Sequence, residues 1–401
     1  MAPRTQPALA IADYSVSCAL GVTRAEVAER LFAGHSGLVA PPFALPFTTL
    51  CGLVPHPLAP LSKAFERFET RQARLAYATL APLLPAIESC VARYGRQRVA
   101  VVLGSSNAGL DTTERAFREL ARGGKAPPAA SLHDQHAYSA VLALIEALTG
   151  VAGPMWFVST ACSSSGKAFA SAARLLRAGL ADAVLVGGVD ALCEMTVRGF
   201  RSLGVLAEGA CQPFSSERSG INIGEGAAFF VLEREGDRAR GSSRDEPALQ
   251  LLGCGEGADA HHMTAPHPQG DGAERVMRAA LAQAGLDASQ IDLVNAHGTA
   301  TDQGDSSEAL AIARVLGSAP VVSTKGYTGH ALGAAGAIEA ALCLLTLEHG
   351  VAPASLGSAP LDTALPIRVL QASTRNDYKH VLSNSFAFGG SNVSLVLGRR
   401  A

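Results

Sequence analysis

The chain has 401 residues, 48% of them hydrophobic and 17% charged, with 41 glycines and 21 prolines. Length and composition describe a globular protein with a large core, about two domain-sized units long. A net charge of −2 without a long basic block argues against a nucleic-acid partner, and no uninterrupted apolar run is long enough to span a bilayer. The opening residues MAPRTQPALAIADYS lack the basic, apolar and cleavage regions of a signal peptide, so a cytoplasmic enzyme is expected.

Taken in chain order, the first half alternates short apolar runs with helical patterns. Arg98–Ser105 reads as a buried strand and Ala137–Leu148 as a helix. Pro154–Thr160 and Asp182–Gly188 read as strands flanking a helix over Ser163–Ala178. Gly226–Glu233 is a further strand, and the charged stretch Arg234–Pro247 reads as a linker. The second half repeats the grammar: strands at Ala248–Leu252, Ile291–Asn295 and Pro320–Ser323, and helices at Gly272–Ala284, Asp305–Leu316 and Gly333–Glu348. Strands near His380–Asn384 and Asn392–Leu397 close the chain. This alternation predicts an α/β protein of two halves, residues 1–235 and 248–401. A shift of 168 residues lays TACSSSGKAFASAARLL on TGHALGAAGAIEAALCL, equating Cys162 with His330 and suggesting duplicated halves that meet at one cleft.

Of eight cysteines none forms a C-x-x-C pair or a zinc-type spacing, so no metal is expected. Seven read as small buried hydrophobes. Cys162, in VSTACSSSGKAF, sits instead among small polar residues where a strand turns into a helix. The positive end of a helix and its unpaired N–H groups favour a thiolate there, which is how a cysteine becomes nucleophilic. Two histidine motifs accompany it. NAHGTATDQGD places His297 after a strand, and STKGYTGHALGAAG places His330 before a helix with Lys325 five residues earlier. His35, His56 and His349 lack such settings and read as structural or surface groups. NSFAFGGSN is a glycine-rich turn suited to aiming backbone N–H groups at an oxyanion.

In that order, and with matching spacings, STACSSS, NAHGTATDQGD, KGYTGHALGAAG and NSFAFGGSN resemble the elongating β-ketoacyl-acyl-carrier-protein synthases, as does DAHHMTAPHPQG (Asp259–Gly270). The resemblance covers nearly the whole chain. It implies a duplicated thiolase-like five-layered α-β-α-β-α fold and a dimer with Met155–Ser159 at the subunit edge. It implies that Cys162 takes an acyl chain as a thioester, and that His297 and His330 promote malonyl decarboxylation and stabilise the enolate. Lys325 would orient the site, acting with Glu308. Backbone N–H groups of Cys162 and Phe388 would form the oxyanion hole. Thr264, Thr299 and Thr301 would contact the phosphopantetheine arm, and Phe200 and Phe388 would line or gate the acyl pocket. No cofactor is implied beyond that arm, which acyl carrier protein supplies. Asp302 and Asp305 are expected to turn away from the enolate.

Several positions depart from the family pattern: ALAIADYSVSCALG at the first strand, Ser215 and Ser219 in place of aspartates, Ile221 for an aromatic, and Ala387 for a glycine. They point to a specialised type II pathway, such as one making a polyene pigment or another secondary lipid. A thiolase is the nearest rival, but NSFAFGGSN lacks the second reactive cysteine it would need. A non-catalytic chain-length partner would lack Cys162, and an acyl-binding scaffold would have no use for the Cys-His-His set. The catalytic subunit of a ketosynthase/chain-length-factor heterodimer stays open beside a homodimer.

Overall fold

The computed structural model describes residues 5–125, 131–235 and 248–400. Its principal strands are β1 (Leu9–Ser17), β2 (Val99–Gly104), β3 (Met155–Val158), β4 (Ala183–Asp190), β5 (Gly226–Arg234), β6 (Ala248–Ala258), β7 (Leu293–Asn295), β8 (Pro320–Val322), β9 (His380–Phe386) and β10 (Ser391–Arg400). The helices that build the layers are α1 (Arg71–Leu80), α2 (Leu84–Tyr94), α3 (Ser139–Thr149), α4 (Ser164–Arg177), α5 (Asp271–Ala284), α6 (Asp302–Leu316) and α7 (Ala335–His349).

The strands run in two arrays of the same order and sense. The first is β1-β5-β4-β2-β3 and the second β6-β10-β9-β7-β8, with Arg368–Val369 outside β8. In each, the first two pairings are antiparallel and the next two parallel. Among the described residues the arrays join where β1 meets β6, at Leu9↔Leu251 and Ala10↔Gln250. Strands such as VAVVLG and AVLVGGVD are buried throughout, because parallel strands here are covered by helices on both faces.

Packing arranges these pieces in five layers. Helices α4 and α7 lie in the middle, where Phe169, Ala172, Ala341 and Leu344 share one apolar core with residues of both arrays. Helices α1, α2 and α3 cover the outer face of the first array, and α5 and α6 that of the second. Helix α7 is enclosed on all sides, with every residue from Ala335 to Leu347 buried, whereas α4 turns Arg174 outward and leaves Lys167, Ser171 and Arg177 half-buried. This is the thiolase-like arrangement expected, and the 168-residue shift equates the two central helices.

The expected elements recur within a few residues, with instructive exceptions. The strand read as Ala248–Leu252 runs on to Ala258 through Gly253, Gly255 and Gly257. These glycines do not break it; they admit α5, since a Cβ on Gly255 would lie 1.8 Å from the Val276 carbonyl oxygen. Helix α6 starts at Asp302 rather than Asp305. Arg234 ends β5 instead of opening a linker, and residues 236–247 of that proposed linker lie outside the described residues.

Candidate active site

The nucleophile candidate is presented by a strained turn. Between β3 and α4 the backbone passes through Ala161 at φ 50°, a left-handed conformation in which a Cβ costs energy. The serines that follow hold the turn: Ser164 Oγ accepts from Thr160 N–H (2.9 Å) and donates to the Ala161 carbonyl (2.5 Å), and Ser163 Oγ donates to the Thr160 carbonyl (2.9 Å). Small polar residues therefore follow Cys162 because they are the fastenings of the turn that displays it.

Cys162 itself precedes the helix, which begins at Ser164 with Ser163 as its cap. Burial pushes its thiol up to about 12, outweighing the opposing pull of the Lys325 ammonium and of the N–H groups of Cys162 and Phe388 directed at the sulfur. Cys162 does sit at the helix N-terminus, one residue before its cap, but burial outweighs the field there and favours a neutral thiol over the expected thiolate. The two N–H groups expected to form an oxyanion hole do converge there.

His330 Nε2 lies 2.9 Å from Cys162 Sγ, so the two positions equated by the internal repeat touch. The His297 ring stands across from it, centroids 5.3 Å apart and planes at 84°. Burial, reinforced by Lys325, holds both imidazoles well below their usual range, so both are neutral near pH 7. Lys325 Nζ donates to the His297 carbonyl (2.5 Å) and lies 3.4 Å from its Nδ1. An ammonium has only donors, which makes Nδ1 the acceptor and leaves the ring proton on Nε2. His330 Nδ1 has no partner; keeping its proton on Nε2 leaves a lone pair unsatisfied rather than a costlier N–H.

Lys325 is paired with Glu339 Oε1 at 2.5 Å, not with Glu308. Glu308 instead accepts from the backbone N–H groups of His297 and Gly298, each at 2.8 Å, and from Asn384 Nδ2 at 3.0 Å. It therefore shapes the His297 loop through the backbone, while the Lys325 charge acts on Glu308 without a direct ion pair. Glu339 was missed, although its signal was present: one charge within the apolar helix AGAIEAALCLL must find a partner when buried.

Cys162, His297 and His330 form the floor of a cavity of about 430 Å³. Phe200 and Phe388 line it with stacked rings 5.9 Å apart. Thr264, Thr299 and Thr301 line its approach, the last two with hydroxyls 3.0 Å apart. Asp305 does turn away, accepting from Phe214 and Ala300 N–H. Asp302 does not: it stays exposed on the cavity rim, 3.4 Å from Arg218. Of the departures, Ser219 and Ile221 line the cavity, as does Ala387, while Ser215 Oγ bonds the Pro360 carbonyl away from it. His35, His56 and His349 do not line this cavity.

One ligand atom from each of Cys162, His297 and His330 falls within 4.8 Å of the others, near enough to hold a metal ion. Their surroundings suit hydrogen-bond donation instead. A metal-bound imidazole usually donates its second N–H to an acceptor, whereas His297 Nδ1 faces an ammonium and His330 Nδ1 faces no acceptor.

Comparison with known proteins places this geometry. Residues 61–238 match the beta-ketoacyl synthase N-terminal domain, and residues 250–359 the C-terminal domain. The chain is 37% identical over 307 residues to Nodulation protein E of Rhizobium meliloti, covering 75% of each. It is 38% identical over 262 residues to 3-oxoacyl-[acyl-carrier-protein] synthase 2 of Rhizobium meliloti strain 1021, covering 62% of this chain and 61% of that protein. Among solved structures it resembles the ketosynthase ApeO in complex with its chain length factor ApeC from Xenorhabdus doucetiae, with TM-score 0.91, 35% identity and 98% of each chain covered. A beta-ketoacyl synthase from Burkholderia phymatum STM815 aligns with TM-score 0.87 and 29% identity over 99% of this chain and 100% of that one. The thiol, paired imidazoles and converging N–H groups thus sit in a chain that belongs to the beta-ketoacyl synthase family, condensing enzymes of the acyltransferase class.

Proposed function

We propose that Cys162 attacks the thioester of an acyl-carrier-protein-bound chain and keeps the acyl group, releasing the carrier thiol. The thiol proton passes to the departing carrier sulfur as the carbon–sulfur bond forms, while His330 Nε2–H, 2.9 Å from Sγ, donates to the attacking sulfur. The carbonyl oxygen becomes an oxyanion between the N–H groups of Cys162 and Phe388. A malonyl thioester then loses CO2, and the electron pair released makes an enolate whose oxygen accepts from Nε2–H of His297 and of His330. The enolate carbon bonds the acyl carbon, Cys162 leaves as thiolate and regains a proton, and the product is a 3-oxoacyl thioester longer by two carbons. Neutral donors in a dry cleft stabilise that enolate without a full positive charge.

The observation that carries this reading is the 2.9 Å approach of His330 Nε2 to Cys162 Sγ beneath the two N–H groups. Lys325 fixes the His297 tautomer and Glu308 its loop. Thr264, Thr299 and Thr301 flank the path for a phosphopantetheine arm, and Phe200 with Phe388 walls the acyl pocket. Residues 1–235 carry the nucleophile and 248–401 both histidines, as two thiolase-like halves. Acyl carrier protein is the partner required, in the cytoplasm. A related chain-length-factor subunit is supported by the likeness to ApeO paired with ApeC. A specialised pathway is favoured by that likeness and by the one to a nodulation protein.

Intact-protein mass spectrometry tests the chemistry. Wild type incubated with acyl carrier proteins should gain the acyl mass on Cys162, and Cys162→Ala should gain none. His297→Ala and His330→Ala should each slow malonyl decarboxylation by about 10²–10³, the usual worth of one such donor, with acyl loading less affected. Loading in Cys162→Ala, or full decarboxylation in either histidine variant, would overturn the assignment.

A further inference from the structure

Asp190 ends β4 beneath the active site, its side chain wholly buried. Among the described residues no cation balances it; instead it collects donors from two separate parts of the chain. From the loop after β2 it accepts Ser105 Oγ (2.6 Å), Ser106 N–H (3.0 Å) and Asn107 N–H (2.9 Å). From the turn entering α7 it accepts Ala334 N–H (3.2 Å), and Gly333 N–H is also directed at it. That turn lies three residues after His330. The loop on the other side reaches the nucleophile: Ser106 Oγ donates to the carbonyl of Ala161, the strained residue before Cys162, at 3.4 Å. The two backbones are pressed together over the carboxylate, since a Cβ on Gly333 would stand 2.6 Å from Ser106 N and 2.8 Å from Asp190 Oδ2.

We propose that Asp190 is a positioning residue that registers the Cys162 turn against the His330 turn and so sets the distance between sulfur and Nε2. This rests on Cys162 and His330 acting as described above. A carboxylate suits the task because it has only acceptors, so every donor around it is satisfied at once. An amide in its place must turn an NH2 group toward N–H donors on one side and push one of the turns away. A misplacement of about 1 Å between reacting groups can cost on the order of 100-fold in rate.

The test compares Asp190→Asn, Ser105→Ala and Cys162→Ala, each checked for folding by near-ultraviolet circular dichroism and thermal melting. Acyl loading from an acyl carrier protein is followed against carrier concentration by intact mass. Asp190→Asn should lose about 10- to 100-fold in the maximal loading rate with its half-saturating carrier concentration changed less than about twofold. Ser105→Ala, which removes one donor, should show a smaller loss of the same kind. A merely structural aspartate would lower the melting temperature and leave the rate per folded molecule unchanged, and that result overturns the proposal. So does a loss confined to half-saturation. If Asp190→Asn does not fold, Ser105→Ala decides, and a wild-type rate there overturns the proposal too. Loading that persists in Cys162→Ala would instead sink the reading of the nucleophile, which separates the two failures.

Discussion

At the scale of single residues, the site works by keeping its groups neutral and oriented rather than charged. Cys162 has a thiol held near 12 by burial, and both imidazoles resist protonation. An ordinary cysteine is half thiolate near pH 8.5, and a cysteine activated as an ion pair reacts with little pH dependence below that. Here the thiolate fraction should grow about tenfold per pH unit well past the usual point. Iodoacetamide alkylation of Cys162, with Cys162→Ala as the blank, should therefore keep rising from pH 7 to pH 10. A plateau below pH 8 would mean a thiolate–imidazolium pair instead. The sequence made Cys162, His297 and His330 legible because each ends an apolar run beside small residues. It did not reveal the thiol's raised value, which depends on how deeply distant strands bury it. Asp190 was equally hidden, since an acid ending an apolar strand looks like an ordinary strand terminus.

At the scale of elements, the site depends on how closely the two central helices meet. Gly166 in α4 and Gly336 in α7 sit where the helices cross, and Ser165 Oγ in α4 accepts the Ala337 N–H of α7 at 2.9 Å. A Cβ on Gly336 would lie 3.0 Å from Gly166 N and 2.8 Å from Ser385 Oγ. The alanine-rich, charge-poor patterns of both helices favour burial on all sides, which α7 shows from Ala335 to Leu347, while α4 turns Arg174 outward. Their contact through glycines was not legible, because nothing in either helix alone says which face meets the other. Gly336→Ala should force the helices apart at a cost of about 1–3 kcal/mol, the usual range for overpacking, and slow acyl loading with it. Thermal melting and loading rates measured together check this, and a variant as stable and as fast as wild type would show that the crossing has slack. The glycines of β6 make the same point from the other side. Read locally they end a strand, yet they continue it so that α5 can approach.

At the scale of the whole molecule, the two arrays differ at their rims. In the second, β8 is followed outward by Arg368–Val369. In the first, among the described residues, β3 pairs with β2 and no strand lies on its other edge. All four residues of β3, Met155, Trp156, Phe157 and Val158, are half-buried, with side chains packed into the cores on both faces of the array. A free, apolar strand edge invites pairing with another chain. The same strand leads into the turn that presents Cys162, so a partner covering this edge would also steady the proposed nucleophile. Pairing with a second copy across a twofold axis would cover it symmetrically, and a related subunit would cover it as well. Light scattering of the purified chain at micromolar concentration should give twice the 41.2 kDa chain mass. Addition of a related subunit offers the alternative pairing where the chain alone stays monomeric. Met155→Lys, which puts a charge on the edge, should shift the species toward monomer and reduce acyl loading in step. A wild-type monomer with full condensing activity and no partner present would show that the edge needs no cover and that the nucleophile turn stands on its own.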